Sequence, residues 1–225
     1  MTLVSCGHFL VELKLSLSFP VRYGDVVLRD RTDSRAALWR TAAGQRGYFT
    51  AAQALDAGYS YQAQRYHAQH GNWLVIDRAL YRFREFTDLP GEGDEQLVRW
   101  SLWSRGRAVV SHATALAVHD LGTANPSRIH LTVPQGFRQK SDAVILHRAQ
   151  LAESDAEDRT GYRVTVPARA IAECAEDGDD QDVIDGAVAE ALEQGVVTRR
   201  KLLYAAQLLG ARAELGVERA LGALS

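Results

Sequence analysis

The stretch from Gly47 to Phe83, GYFTAAQALDAGYSYQAQRYHAQHGNWLVIDRALYRF, constrains the fold of this chain more than any other. Thr50 stands where a side-chain oxygen can cap a helix over residues 51–57, and Gly58 can end it in the left-handed conformation. Ser60 can cap a second helix over residues 61–70, with Gly71 as its stop. Two β-like runs follow, residues 73–76 and 80–83, joined by the turn Asp77-Arg78-Ala79. Two short helices across a glycine turn, followed by a hairpin, predict a winged helix-turn-helix. That unit lays its second helix in the DNA major groove.

A preceding helix over residues 33–43 completes the unit, with Asp33 or Ser34 as its cap and Ala37, Leu38, Thr41 and Ala42 on one face. Trp39 is expected in the core or at a domain interface. Within the motif, Ala51, Ala54 and Leu55 are expected to face inward from the first helix, and Ala63 and Tyr66 from the second. Tyr61, Gln62, Arg65 and Gln69 then fall on or near the opposite face. Glutamine can pair bidentately with adenine and arginine with guanine. Ser60 and Tyr61, at the helix N-terminus, are placed to reach a phosphate, and Arg78 and Arg82 to hold the backbone from the hairpin. Any surface helix has a solvated polar face, which is the plain alternative; the flanking turn and hairpin favour DNA. His67 and His70 are expected as surface or capping residues, since no cysteine or carboxylate lies at ligand spacing.

The charge of the whole chain is −2, so it is no general DNA-coating protein. Between residues 33 and 88, seven arginines face five carboxylates, a modest local patch. Such a patch favours a homodimer on a two-fold, double-stranded operator over a single copy.

The expected class is α+β: an N-terminal winged helix-turn-helix followed by a mixed α/β domain with a small sheet and several helices. Residues 1–32 form an N-terminal extension, read either as a short hairpin from the alternating run 10–17 and the run 21–28, or as sequence upstream of the native start. Residues 33–88 are the winged helix, and 89–94 (LPGEGD) a linker rich in turn formers. Residues 95–225 make the second domain. There, helices are expected over 94–105, from a Ser111 cap to Gly122, from Pro167 through Asp177, over 182–194, over 199–209 behind a Thr198 cap, and over 214–224. Strands are expected over 128–133, 143–147 and 162–166. Charge in this domain is split: residues 98–149 are basic, and residues 151–194 hold thirteen carboxylates against three arginines. Either face could meet a protein partner or simply be solvated.

Catalytic chemistry finds little support. Ser111-His112 and His119-Asp120 invite a hydrolase reading, but Ser111 sits where a cap is expected and no G-x-S-x-G turn surrounds it. No acid-x-lysine pair on a strand suggests a nuclease, and neither a P-loop nor a G-x-G-x-x-G fingerprint occurs. No enzyme activity, cofactor or metal is therefore expected. Cys6 and Cys174 show neither metal spacing nor a disulfide framework, which fits the cytoplasm. No apolar run approaches the roughly 20 residues that span a bilayer, and no signal peptide is evident.

Four blocks in order, FTAAQALDAGYS–YHAQHGNWLVIDRALYRF, VVSHATALAVHDLG, RIHLTVP and VTVPARAIAECA, resemble the AbiEi family, the antitoxins of bacterial type IV abortive-infection toxin–antitoxin systems. The resemblance runs from about Ser34 to Ala205. It implies a winged helix that represses its own operon, and a C-terminal domain that counters a nucleotidyltransferase-type toxin without an obligatory stable complex. The family wing reads arginine-glycine before its last strand where this chain has Arg78-Ala79, and it carries more basic residues. Two other functions fit the same features: a ligand-responsive winged-helix repressor without a toxin, and a protein-interaction module whose winged helix binds no DNA.

Overall fold

The computed structural model describes residues 31–87 and 94–224; the strands expected within residues 1–32 and most of the linker lie outside them. The first unit contains α1 (Arg31–Ala43), β1 (Tyr48–Thr50), α2 (Ala51–Asp56), α3 (Tyr61–Gln69), β2 (Trp73–Asp77) and β3 (Leu80–Phe83). Its antiparallel sheet has the order β1-β3-β2. This is the expected winged helix. The local caps form as anticipated: Thr50 and Gln53 make a reciprocal capping box, and the Ser60 hydroxyl accepts from the Ala63 amide. Gly58 and Gly71 follow the two helices at positive φ.

Helix α1 departs from expectation at its start. It begins at Arg31, inside the segment assigned to the N-terminal extension, so Ser34 is no cap. Ser34 is instead buried on the same face as Leu38 and Ala42, one turn apart each, while Thr41 is exposed. Leu38 and Ala42 pack on Phe49, Ala54, Ala57, Trp73 and Phe83. Phe49 is the centre of an aromatic cluster, with ring centroids 4.9 Å from Trp73 and 4.8 Å from Phe83. Trp39 closes the cluster against Phe83 and Phe86, the core role expected of it. Strand β1 has only three residues and was not anticipated; pairing with β3, rather than any pattern of its own, makes it a strand.

The second unit opens with α4 (Glu95–Trp103) and β4 (Val109–Val110), followed by α5 (His112–Val118), β5 (Ile129–Val133) and β6 (Val144–Arg148). Strands β7 (Ala156–Arg159) and β8 (Tyr162–Thr165) come next, then α6 (Pro167–Asp177), α7 (Gln181–Glu193), α8 (Arg199–Leu209) and α9 (Ala211–Ala223). The five-stranded mixed sheet runs β6-β5-β4-β8-β7. Strand β7, with the sequence AEDR, was not anticipated because nothing in it is apolar beyond Ala156. Helix α6 is the organising element: Ala168 through Ala175 are all buried, and it packs against α5, α7, α8 and α9. A helix buried all round must be built from small side chains for its neighbours to approach, and its sequence PARAIAECAED supplies them.

The two units meet through a polar network. Arg82 donates to Glu95 Oε1 at 2.7 Å and to the carbonyls of Arg46 and Phe86, with its guanidinium over the Tyr48 ring. The Tyr48 hydroxyl donates to Glu95 Oε2, the Tyr162 hydroxyl donates to Asp94 Oδ2, and Arg46 pairs with Asp94. Asp94 and Glu95 sit at the N-terminus of α4, where negative charge also meets the positive end of the helix dipole. The turn between β7 and β8 presses in beside them. Gly161 has φ +88, and a Cβ there would come within 3.2 Å of both Val98 and the Gln45 backbone.

Candidate functional site

A groove runs between α3 and the β2–β3 hairpin. It measures about 540 Å³ and is lined by Tyr61, Arg65, Gln69, Val75, Arg78 and Tyr81 among others. Tyr61 is 71% exposed, and Gln62, Arg65 and Gln69 are exposed along the same helix. Among the described residues, no hydrogen bond or ion pair occupies the side chains of Gln62, Arg65 or Gln69. Arg78 projects from the tip of the hairpin, its amide tied to Asp77 Oδ1. Tyr61, Arg65, Gln69 and Arg78 therefore line this groove, and Gln62 is exposed on the same helix beside it. Ser60 is exposed at the start of α3, but its hydroxyl is engaged as the cap.

Two expectations fail. Arg82 does not join this surface: its side chain is 11% exposed, and its donors are spent on Glu95 and two backbone carbonyls at the junction between the units. The strand alternation that exposes Tyr81 toward the groove turns Arg82 to the other face of the hairpin. Tyr66 does not face inward either. It is 52% exposed and stacks on His70, with ring centroids 3.9 Å apart. Gln64 takes the inner position at 2% exposure, donating to the carbonyls of Ala51 and Tyr59. A buried polar residue has no hydrophobic signature in the sequence, which is why the inner face of α3 was misread. His67 lies against Trp73 and Tyr59, a packing role.

The hairpin turn carries the departure from arginine-glycine. Ala79 has φ +59, a conformation that costs a non-glycine residue about 1–2 kcal/mol.

In the second unit the structure gathers residues that sequence spacing left apart. Ser111 stands at the N-cap position of α5, but its hydroxyl bonds His112 Nδ1 at 2.9 Å rather than the helix amides. His112 stacks on His147 at 3.5 Å between centroids, and His130 Nδ1 lies 3.1 Å from His147 Nε2. Burial, reinforced by the two neighbouring histidines and Arg169, pushes the His112 imidazole down to about 2. Burial also holds His130 and His147 below the ordinary value. Each shift favours the neutral imidazole, the form with a lone pair to offer. His119 is elsewhere, its Nε2 at 2.8 Å from the Thr165 carbonyl, so Ser111, His112, His119 and Asp120 do not assemble into a hydrolase triad. The only hint in the sequence was one histidine in each of two apolar strands, RIHLTV and AVILH.

No family model matches this chain, and no curated protein matches it. Among solved structures it is similar to the crystal structure of the Rv2827c protein from Mycobacterium tuberculosis, at 15% identity and a TM-score of 0.50. The match covers 86% of this chain and 78% of that one. At that identity the likeness establishes a shared fold across both units, and the fold is where it stops.

Proposed function

We propose that this protein is a DNA-binding regulator that represses its own operon and serves as the antitoxin of a type IV toxin–antitoxin pair. The observation that supports DNA binding is the α3–hairpin surface. Tyr61, Gln62, Arg65 and Gln69 stand exposed on one helix, beside Arg78, with their polar ends uncommitted. The capped α3 would enter the major groove, where Gln62, Arg65 and Gln69 read base edges. Tyr61 and Arg78 would contact phosphates, with the Ser60 cap orienting the helix end. The antitoxin role rests on the AbiEi-like blocks, with the second unit countering a nucleotidyltransferase-type toxin.

The test of DNA binding is fluorescence anisotropy with duplex DNA from directly upstream of the gene and a scrambled control, across a salt series. Selective, salt-sensitive binding supports the regulator. Equal weak binding to both duplexes refutes it and makes the winged helix a protein-docking element. Arg65→Ala should weaken specific binding by about 1–3 kcal/mol. Co-expression of the full chain with the neighbouring toxin gene tests the second half: absence of rescue refutes the antitoxin role while leaving the repressor standing.

One observation favours a ligand-responsive repressor instead. A cleft of about 1150 Å³ lies between the units, lined by Arg78, Arg99, Arg105 and Lys140 with Trp100 and Trp103. A neighbouring gene for a metabolic enzyme, rather than for a nucleotidyltransferase, would support that reading.

A further inference from the structure

We propose that His112, His130 and His147 form a binding site for a divalent transition metal ion, zinc foremost, at the face of the second unit's sheet where α5 crosses β5 and β6. One ligand atom from each histidine lies within 4.8 Å of the other two. Tetrahedral zinc with bonds of about 2.0–2.1 Å needs its nitrogen ligands roughly 3.3–3.4 Å apart. The His130–His147 pair, at 3.1 Å, is already close to that spacing. The third ligand closes the remaining gap by side-chain rotation, which tilts His112 or His147 out of their mutual stack. Imidazole nitrogen suits zinc, nickel, cobalt and copper, and not magnesium or calcium.

The site is built into the fold. In the parallel β5–β6 pair, His147 lies opposite Thr132, and His130 is two residues before Thr132, so all three side chains share one face. The backbone of His130 is fastened to the start of α5 twice: its amide donates to Thr114 Oγ1, and its carbonyl accepts from the Ser111 amide. His112 is held more tightly still. Its amide donates to Glu173 Oε2, its Nδ1 meets Ser111 Oγ, and its φ of +53 places a buried residue in the left-handed region. Backbone strain of this kind, about 1–3 kcal/mol, persists where the surroundings over-determine a residue's position, and it gathers at functional sites. The Ser111 contact to Nδ1 leaves Nε2 of His112 as the metal ligand and supplies the outer-shell partner that ligating histidines usually have.

Two further features suit a cation. Thr132 is 2% exposed, and its hydroxyl oxygen has no hydrogen-bond partner, on the same face beside His147. Asp177 and Asp179, at the end of α6, lie near enough to act electrostatically on His130 and His147 and lend negative potential. His112 is buried while His130 and His147 are partly exposed, so three protein ligands leave a fourth position facing solvent. The rival arrangement is a stack of neutral imidazoles joined by one hydrogen bond, with no affinity for metal.

The test uses the full chain stripped with chelator and titrated with zinc by calorimetry, and with cobalt by visible absorption. One zinc per chain at micromolar affinity or tighter, with cobalt bands of a tetrahedral nitrogen site, is expected. His130→Gln and His147→Gln, both partly exposed and checked for folding by circular dichroism, should each weaken zinc at least 50-fold. His70→Gln, on the exposed end of α3, should bind as the parent does. Absence of stoichiometric zinc binding by the parent, or full affinity in both strand variants, would overturn the site. No DNA enters these measurements, so their outcome is independent of operator binding.

Discussion

The two polar clusters of this molecule are assembled in opposite ways. On α3, Tyr61, Gln62, Arg65 and Gln69 lie within nine residues, and helical geometry alone aligns them. The histidine cluster draws His112, His130 and His147 from a helix and two strands, and it takes both the sheet register and the docking of α5 on β5 to bring them together. The first cluster faces outward, its polar groups uncommitted. The second is partly buried and fastened by Thr114, Ser111 and Glu173. A row of exposed polar residues can be written locally, whereas a cluster that converges from separate elements needs a scaffold around it.

The sharpest way to break the comparison is Phe49→Ala. Phe49 is fully buried at the centre of the winged-helix core, and its truncation should cost about 3–5 kcal/mol. Hydrogen exchange read by mass spectrometry should show the loss across α1 to β3, with α6 to α9 keeping their protection. Equal loss in α6 to α9 would mean that the two units unfold as one.

A smaller effect probes the junction. Glu95→Gln removes the charge that Arg82 and Tyr48 share, leaving a guanidinium that is 11% exposed without its carboxylate. Destabilisation by about 1–2 kcal/mol is expected in urea unfolding. If Arg82 is a structural residue as its contacts indicate, Arg82→Ala should lower stability more than it lowers intrinsic affinity for DNA. An affinity loss as large as that of Arg65→Ala, without loss of stability, would return Arg82 to the reading surface.

The smallest effect lies at the hairpin tip. Ala79→Gly relieves a positive φ worth about 1–2 kcal/mol but adds unfolded-state entropy worth roughly 0.5–1 kcal/mol. A net stabilisation of at most about 1.5 kcal/mol is expected by thermal unfolding, with operator affinity unchanged. A clear gain in affinity would show that the backbone at position 79 itself meets DNA.

What could be read in advance followed the range of the forces involved. The Thr50–Gln53 box, the Ser60 cap and the glycines at 58 and 71 act within three or four residues, and they gave α2 and α3 nearly to the residue. Where the deciding contact was distant, the reading failed. Gln64 is buried because its amide meets two carbonyls, one of them Ala51, thirteen positions away. Arg82 turned inward because Glu95 waits across the linker. Strands β1 and β7 exist only because β3 and β8 pair with them.

The sequence by itself determined the winged helix, its exposed polar helix α3 and the α+β class, because capping, glycine stops and hydrophobic periodicity are local and additive. Only the tertiary structure decided which arginines remain free and which are spent, and that three histidines from separate elements converge. Charge pairing and ligand convergence depend on distances between segments, and no single stretch of chain carries that information.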